Sequence, residues 1–126
     1  MNKQTANVLW FDQLQRKDVN IVGGKSSSLG EMTSSMNVPV PYGFATTAKA
    51  YREFMDKSGV KAKVDELLNS IKDYEDADEL HSVCTQIREI IVNAEMPDDI
   101  KRDIKLAYAQ LADKIGQKES LCCDPF

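Results

Sequence analysis

The sequence is poor in the residues that most often carry enzymatic chemistry. It has a single histidine, His81, so no triad built on several histidines and no multi-histidine metal site can form. His81 lies beside Leu80 on a predicted helix and is expected to be structural or exposed. Cysteines number three, an odd count. Cys84 falls on an apolar helical stripe and is expected in the core, where free cysteines are common. Cys122 and Cys123 are adjacent, with no second pair or histidine nearby to complete a metal set. Long apolar runs are missing too: none approaches the ~18 residues of a membrane span. The N-terminus MNKQTANVLWF lacks the apolar stretch and small-residue cleavage site of a secretory leader, so the expectation is a cytoplasmic protein without a membrane partner. With a net charge of −4 and no basic stripe, nucleic acid is not expected as a partner either.

What remains is an ordinary globular composition, 42% hydrophobic and 29% charged, in a chain long enough for one domain with a core. The charge is uneven. Residues 1–71 hold nine Lys/Arg and seven Asp/Glu, a balance of +2, whereas residues 72–126 hold seven and thirteen, a balance of −6. The N-terminal half is therefore the one suited to an anionic ligand.

Asn7 to Phe11 (NVLWF) reads as a strand, and the polar stretch Asp12 to Asn20 as a turn or short helix. Leu29, Met32 and Met36 recur at helical spacing, which predicts a helix over 26–36 capped by Ser26 or Ser27. Gly30 inside it points to close packing or a bend. Pro39 and Pro41 then force an extended path. Gly43 to Thr47 reads as a second strand leading into a helix capped by Thr46 or Thr47, with Tyr51, Phe54 and Met55 on one face and Gly59 as its stop. Three further apolar stripes follow: Val60, Val64, Leu67, Leu68 and Ile71; Leu80, Val83, Cys84, Ile87, Ile90 and Ile91; and Ile100, Ile104, Ala107, Tyr108, Leu111 and Ile115. The fold class is helix-rich α+β, with about five helices and two or three short strands. The stripes read as core, and the acidic residues between them, Asp73 to Glu79, as a solvated turn and face.

The segment VGGKSSSLGEM, Val22 to Met32, is the exception to this plain pattern. Adjacent glycines open backbone conformations closed to other residues and let a ligand approach the main chain. Lys25 supplies a compact positive charge, and the first free N–H groups of a helix attract anions. Gly23, Gly24, Lys25 and Ser26 are thus candidate phosphate-binding residues. The segment is not a complete P-loop. That pattern, G-x-x-x-x-G-K-[ST], would need glycine where Val19 stands. On the motif alone, a strand-to-helix connection with an exposed lysine explains it equally well.

The runs VLWF, DVNIVGGKSSSLGEM and VPVPYGFATTAKAYREFM, in that order and spacing, resemble the N-terminus of the phosphoenolpyruvate synthase (pyruvate, water dikinase) family. The likeness extends over residues 8–119 and includes AYAQL at Ala107 to Leu111. It implies a partial ATP-grasp-like nucleotide-binding domain, with residues 1–119 as its N-terminal subdomain. In the family this domain is followed by a swivelling phosphohistidine domain and a barrel for pyruvate and phosphoenolpyruvate. With magnesium, ATP, pyruvate and water give AMP, phosphoenolpyruvate and phosphate. The resemblance assigns contact with the ATP phosphates to Lys25, with Gly23 and Gly24 permitting close approach and Ser26 and Ser27 as weaker candidates. No catalytic residue is assigned.

After the last helix, the family continues into a strand like Ser-Phe-Ala-Val-Arg-Ser-Ser, whose arginine also reaches the phosphates. Here ESLCCDPF stands instead, so residues 120–126 are expected to be an atypical tail, disordered or the product of a frameshift. The chain alone is accordingly expected to be catalytically incompetent. Two alternatives stand beside this reading. One is an interaction module that keeps the fold and self-associates through uncovered apolar surface. The other is the corresponding part of a pyruvate phosphate dikinase or rifampicin phosphotransferase.

Overall fold

Two apolar tripeptides, Val8–Trp10 (β1) and Phe44–Thr46 (β2), pair antiparallel, Val8 opposite Thr46 and Trp10 opposite Phe44. Side chains alternate across a strand, and the central pair, Leu9 and Ala45, is the buried one. The computed structural model describes residues 2–116, so residues 120–126 and the expectation attached to them lie outside it. The chain divides into two compact units, the first made of residues 2–51 and 98–116 and the second of Arg52–Pro97.

In the first unit, β1 runs into two short 3-10 turns, Phe11–Gln13 and Arg16–Asp18, and then α1 (Val19–Val22) and α2 (Gly24–Ser34). After β2, α3 (Ala48–Lys57) opens with Thr47 as its cap: the Thr47 hydroxyl accepts the Ala50 N–H at 3.1 Å and donates to the Ala6 carbonyl at 2.6 Å. The first unit closes with α6 (Asp98–Ile115), which carries Asp98 and Asp99 in its first turn. Asn7 ties the pieces together. Its amide donates to Asp103 on α6 at 2.8 Å and accepts Lys49 of α3 at 2.9 Å. At the other end of α6, the Lys114 ammonium lies 4.5 Å from the Trp10 ring centre and 5.3 Å from that of Tyr42, a cation–π arrangement. Leu9, Leu14, Ala45, Ala50, Ile100 and Ala107 form the buried apolar set of this unit.

The second unit holds α4 (Val60–Asn69) packed on α5 (Ala77–Asn93), with Met55, Val60 and Val83 buried. Gly59, at φ +75°, separates α3 from α4, the stop the sequence suggests. Asp76 caps α5 by accepting the N–H groups of Asp78 and Glu79.

The described residues form six α-helices and two strands, in keeping with helix-rich α+β. The count exceeds the expected five because Val19–Val22, just before Gly23, closes into the four-residue α1. Several expected core positions are on the surface. Cys84 is exposed, as are Tyr51, Leu68 and Tyr108. A single packed neighbour covers a line of residues along a helix rather than a broad face. On α5 that line runs through Val83 and leaves Cys84 outside. His81 is exposed.

Candidate functional site

The Gly-Gly-Lys segment forms the joint between α1 and α2. Gly23 stands at φ +87°, ψ 170°, a conformation that essentially requires glycine. Its N–H closes α1 on the Val19 carbonyl at 2.8 Å, and its own carbonyl accepts the Ser27 N–H at 3.1 Å, the first bond of α2. One residue thus ends one helix and begins the next. This corrects the expected cap. No side chain caps α2, which starts two residues earlier than the serines suggest and ends at Ser34. Ser26 lies within the first turn. Ser27 is buried and turned inward, its hydroxyl donating to the Gly24 carbonyl at 3.0 Å.

Gly23, Gly24 and Lys25 are exposed at this helix start. A Cβ built on Gly24 would meet nothing within 4 Å, so packing in this chain does not demand a glycine there. Gly24 is the first residue of α2, so this open space lies at the helix N-terminus. The first-turn N–H groups have no acceptor within the helix, and the helix dipole adds positive potential there. The structure therefore brings all four candidates, Gly23, Gly24, Lys25 and Ser26, into one exposed turn.

Beneath that turn the packing is tight. A Cβ at Gly30 would lie 2.3 Å from the Leu14 Cβ, so α2 can reach the Leu14 backbone only because residue 30 has no side chain. Ser34 Oγ reinforces the contact at 2.8 Å from the Leu14 carbonyl, and Glu31 accepts the Arg16 N–H at 2.8 Å. Asp18, 4% exposed, precedes α1. Its Oδ2 accepts the Gln15 N–H and the Lys3 ammonium, both at 2.9 Å. Burial alone would raise this carboxyl. The Lys3 hydrogen bond, the Gln15 N–H and the charges of Lys3 and Lys17 outweigh it and hold the group below its ordinary value of 3.8. The sequence reading of Asp12 to Asn20 as a polar turn or short helix fits the two 3-10 turns and α1 but did not single out Asp18. The available signal was an acidic residue placed directly before a short apolar run.

Among the described residues, no three His, Cys, Asp or Glu side chains come together as a metal site. No helix among them is long and apolar enough to cross a membrane.

Comparison with known proteins gives a consistent answer. The model of the family described as "Pyruvate phosphate dikinase, AMP/ATP-binding domain" matches residues 19–123, from the first residue of α1 onward. The phosphoenolpyruvate synthase of Escherichia coli is 44% identical over 114 residues, covering 88% of this chain and 14% of that protein. Probable phosphoenolpyruvate synthases of Staphylothermus marinus and Methanocaldococcus jannaschii are 41% and 42% identical, covering 92% and 89% of this chain. The chain thus spans only 9–14% of the length of these relatives. A likeness across most of this chain to several such proteins, together with the family match, places it: the chain belongs to the pyruvate phosphate dikinase AMP/ATP-binding domain family.

Proposed function

We propose that this chain is the N-terminal part of the nucleotide-binding region of a phosphoenolpyruvate synthase, and that the Gly23–Ser26 turn contacts the phosphates of ATP. The observation that carries this reading is the open side of Gly24 beside Lys25 at the start of an eleven-residue helix. Phosphoryl transfer concentrates negative charge on the phosphate oxygens, and a lysine with helix N–H groups offsets it. On this reading Gly23 supplies the turn, Gly24 the clearance and Lys25 the charge, within an ATP-grasp-like fold. Magnesium would arrive with the nucleotide, and the described residues assemble no ligand set of their own for it. The overall reaction is ATP, pyruvate and water to AMP, phosphoenolpyruvate and phosphate. On this reading pyruvate and the phosphorylated histidine belong to other domains of the family's proteins, and this chain contributes nucleotide binding.

Titration with magnesium–ATP, followed by amide NMR on wild type and Lys25→Ala, tests this. The expected result is saturable shifts centred on Gly23 to Ser27, with affinity on the order of millimolar and weakened about tenfold or more in the variant, the effect of one charge-assisted contact. A flat titration of the wild type would overturn the reading. The second reading, a non-catalytic interaction module that self-associates, is favoured by the exposure of Met36 (62%) and Tyr42 (63%) on either side of the proline-rich segment. Concentration-dependent sedimentation with no response to nucleotide would support it.

A further inference from the structure

We infer that Asp18 is a positioning residue for the Gly23–Lys25 turn, acting through α1 and touching no ligand itself; the inference rests on the reading of that turn as a phosphate cradle. α1 is four residues long, and its two ends are held differently. Its far end is Gly23, whose N–H bonds back to Val19. Its near end follows Asp18, whose buried carboxylate is held by the Gln15 N–H and by Lys3, fifteen residues earlier. A single helical turn has too little cooperativity to hold its shape alone, so the placement of Gly23 depends on what fixes each end. α2 has its own anchor further along, where Gly30 meets Leu14 and Glu31 holds the Arg16 N–H. The glycine turn is thus suspended between two supports. Gly30 seats the body of α2 on Leu14, and Glu31 ties it to Arg16 at the start of the second 3-10 turn. Asp18 fixes the end of that turn, where the chain enters α1. Removing Asp18 loosens the last residues before α1, beyond the Arg16 tie, while the body of α2 keeps its seat.

A residue with this role differs from one that only stabilises the fold, and the difference can be measured. Amide spectra of the nucleotide-free protein are compared for wild type, Asp18→Ala, Asp18→Asn and Asp76→Ala, the last removing a helix cap in the second unit as a control for general destabilisation. The expected result for Asp18→Ala is displaced and faster-exchanging amides at Gly23 to Ser26, with those of Leu29 to Thr33 unchanged. Asp18→Asn, which still offers an oxygen to Gln15, should give a smaller displacement, and Asp76→Ala none at these positions. Magnesium–ATP affinity should fall about tenfold in Asp18→Ala, the scale of one misaligned charge-assisted contact, measured at a temperature where the variant is folded. Should Asp18→Ala not fold, Lys3→Ala and Asp18→Asn carry the comparison. The inference is overturned by unmoved Gly23 to Ser26 amides, by displacement spread evenly over the first unit, or by unchanged affinity. A wild type silent to nucleotide would overturn the proposed function instead, and the nucleotide-free spectra would still decide whether Asp18 holds the turn.

Discussion

Alanine at three glycines tests three different causes: backbone conformation at Gly23, space at Gly30 and neither at Gly24. At Gly23 the φ of +87° forbids a side chain without strain, and Gly23→Ala should cost about 1–3 kcal/mol. At Gly30 space is the limit. The new methyl would collide with Leu14 and force α2 outward, so Gly30→Ala should cost about 1–3 kcal/mol despite alanine's better helix propensity. At Gly24 there is neither strain nor collision, and Gly24→Ala should change stability by no more than about 1 kcal/mol, in the stabilising direction. If a phosphate approaches there, the same variant should nonetheless weaken ATP binding. Urea denaturation checks the first three outcomes, and the nucleotide titration checks the fourth. A Gly24→Ala variant with unchanged stability and unchanged affinity would remove the clearance argument.

Asp18 adds a pH dependence whose sign is fixed. Its carboxyl is held below its ordinary value in the folded chain, so its stabilisation is complete above about pH 4, near the unfolded value. That stabilisation is lost as the pH falls through the lowered folded value. Thermal midpoints of wild type and Asp18→Asn should therefore differ most near neutrality and converge in acid. A gap that widened on acidification would contradict this assignment of the ion pair with Lys3.

Caps decide where the elements begin, and two of them give paired tests. Thr47 does double duty, accepting the Ala50 N–H and donating to Ala6 while 2% exposed. Thr47→Val keeps the volume but leaves both partners unsatisfied, and should cost about 1–3 kcal/mol. Asp76 caps α5 from an exposed position, and Asp76→Ala should cost about 1 kcal/mol. Both are read from denaturant midpoints, and the larger effect should belong to Thr47.

The caps also show where the sequence was legible. Thr47, Gly59 and both strands could be read from local chemistry, because a hydroxyl before a helix and a glycine after it act through neighbouring backbone. Ser26 and Ser27 misled for the same reason. They look like caps, yet the positive φ of Gly23 had already started the helix, and Ser27 turned inward. Periodicity found the helices but overestimated their buried width, as Cys84, Tyr51 and Tyr108 demonstrate. Of the site, the four candidate residues could be named in advance. Their support could not, since the Lys3–Asp18 pair and the Gly30–Leu14 contact join residues fifteen or more apart.

At the scale of the whole molecule, burial is shared unequally. Among the described residues, six of the nine buried apolar ones belong to the first unit, and Met55, Val60 and Val83 to the second. Local opening free energy follows buried contact. Native-state hydrogen exchange should therefore find α4 and α5 less protected than β1, β2 and α6, and uniform protection would contradict the division.

The first unit also has an order of assembly written into it. Asn7 and Asp103, which bond directly, are 96 residues apart in the chain. A chain made from its N-terminus must hold β1 without its α6 cover until residues 98–115 have been synthesised. Contacts between α4 and α5 are local and can form early, whereas closure by α6 carries the entropy of a long loop. Trp10, the sole tryptophan, lies under Lys114 at that closure. Its emission is thus a built-in clock for the last step of folding.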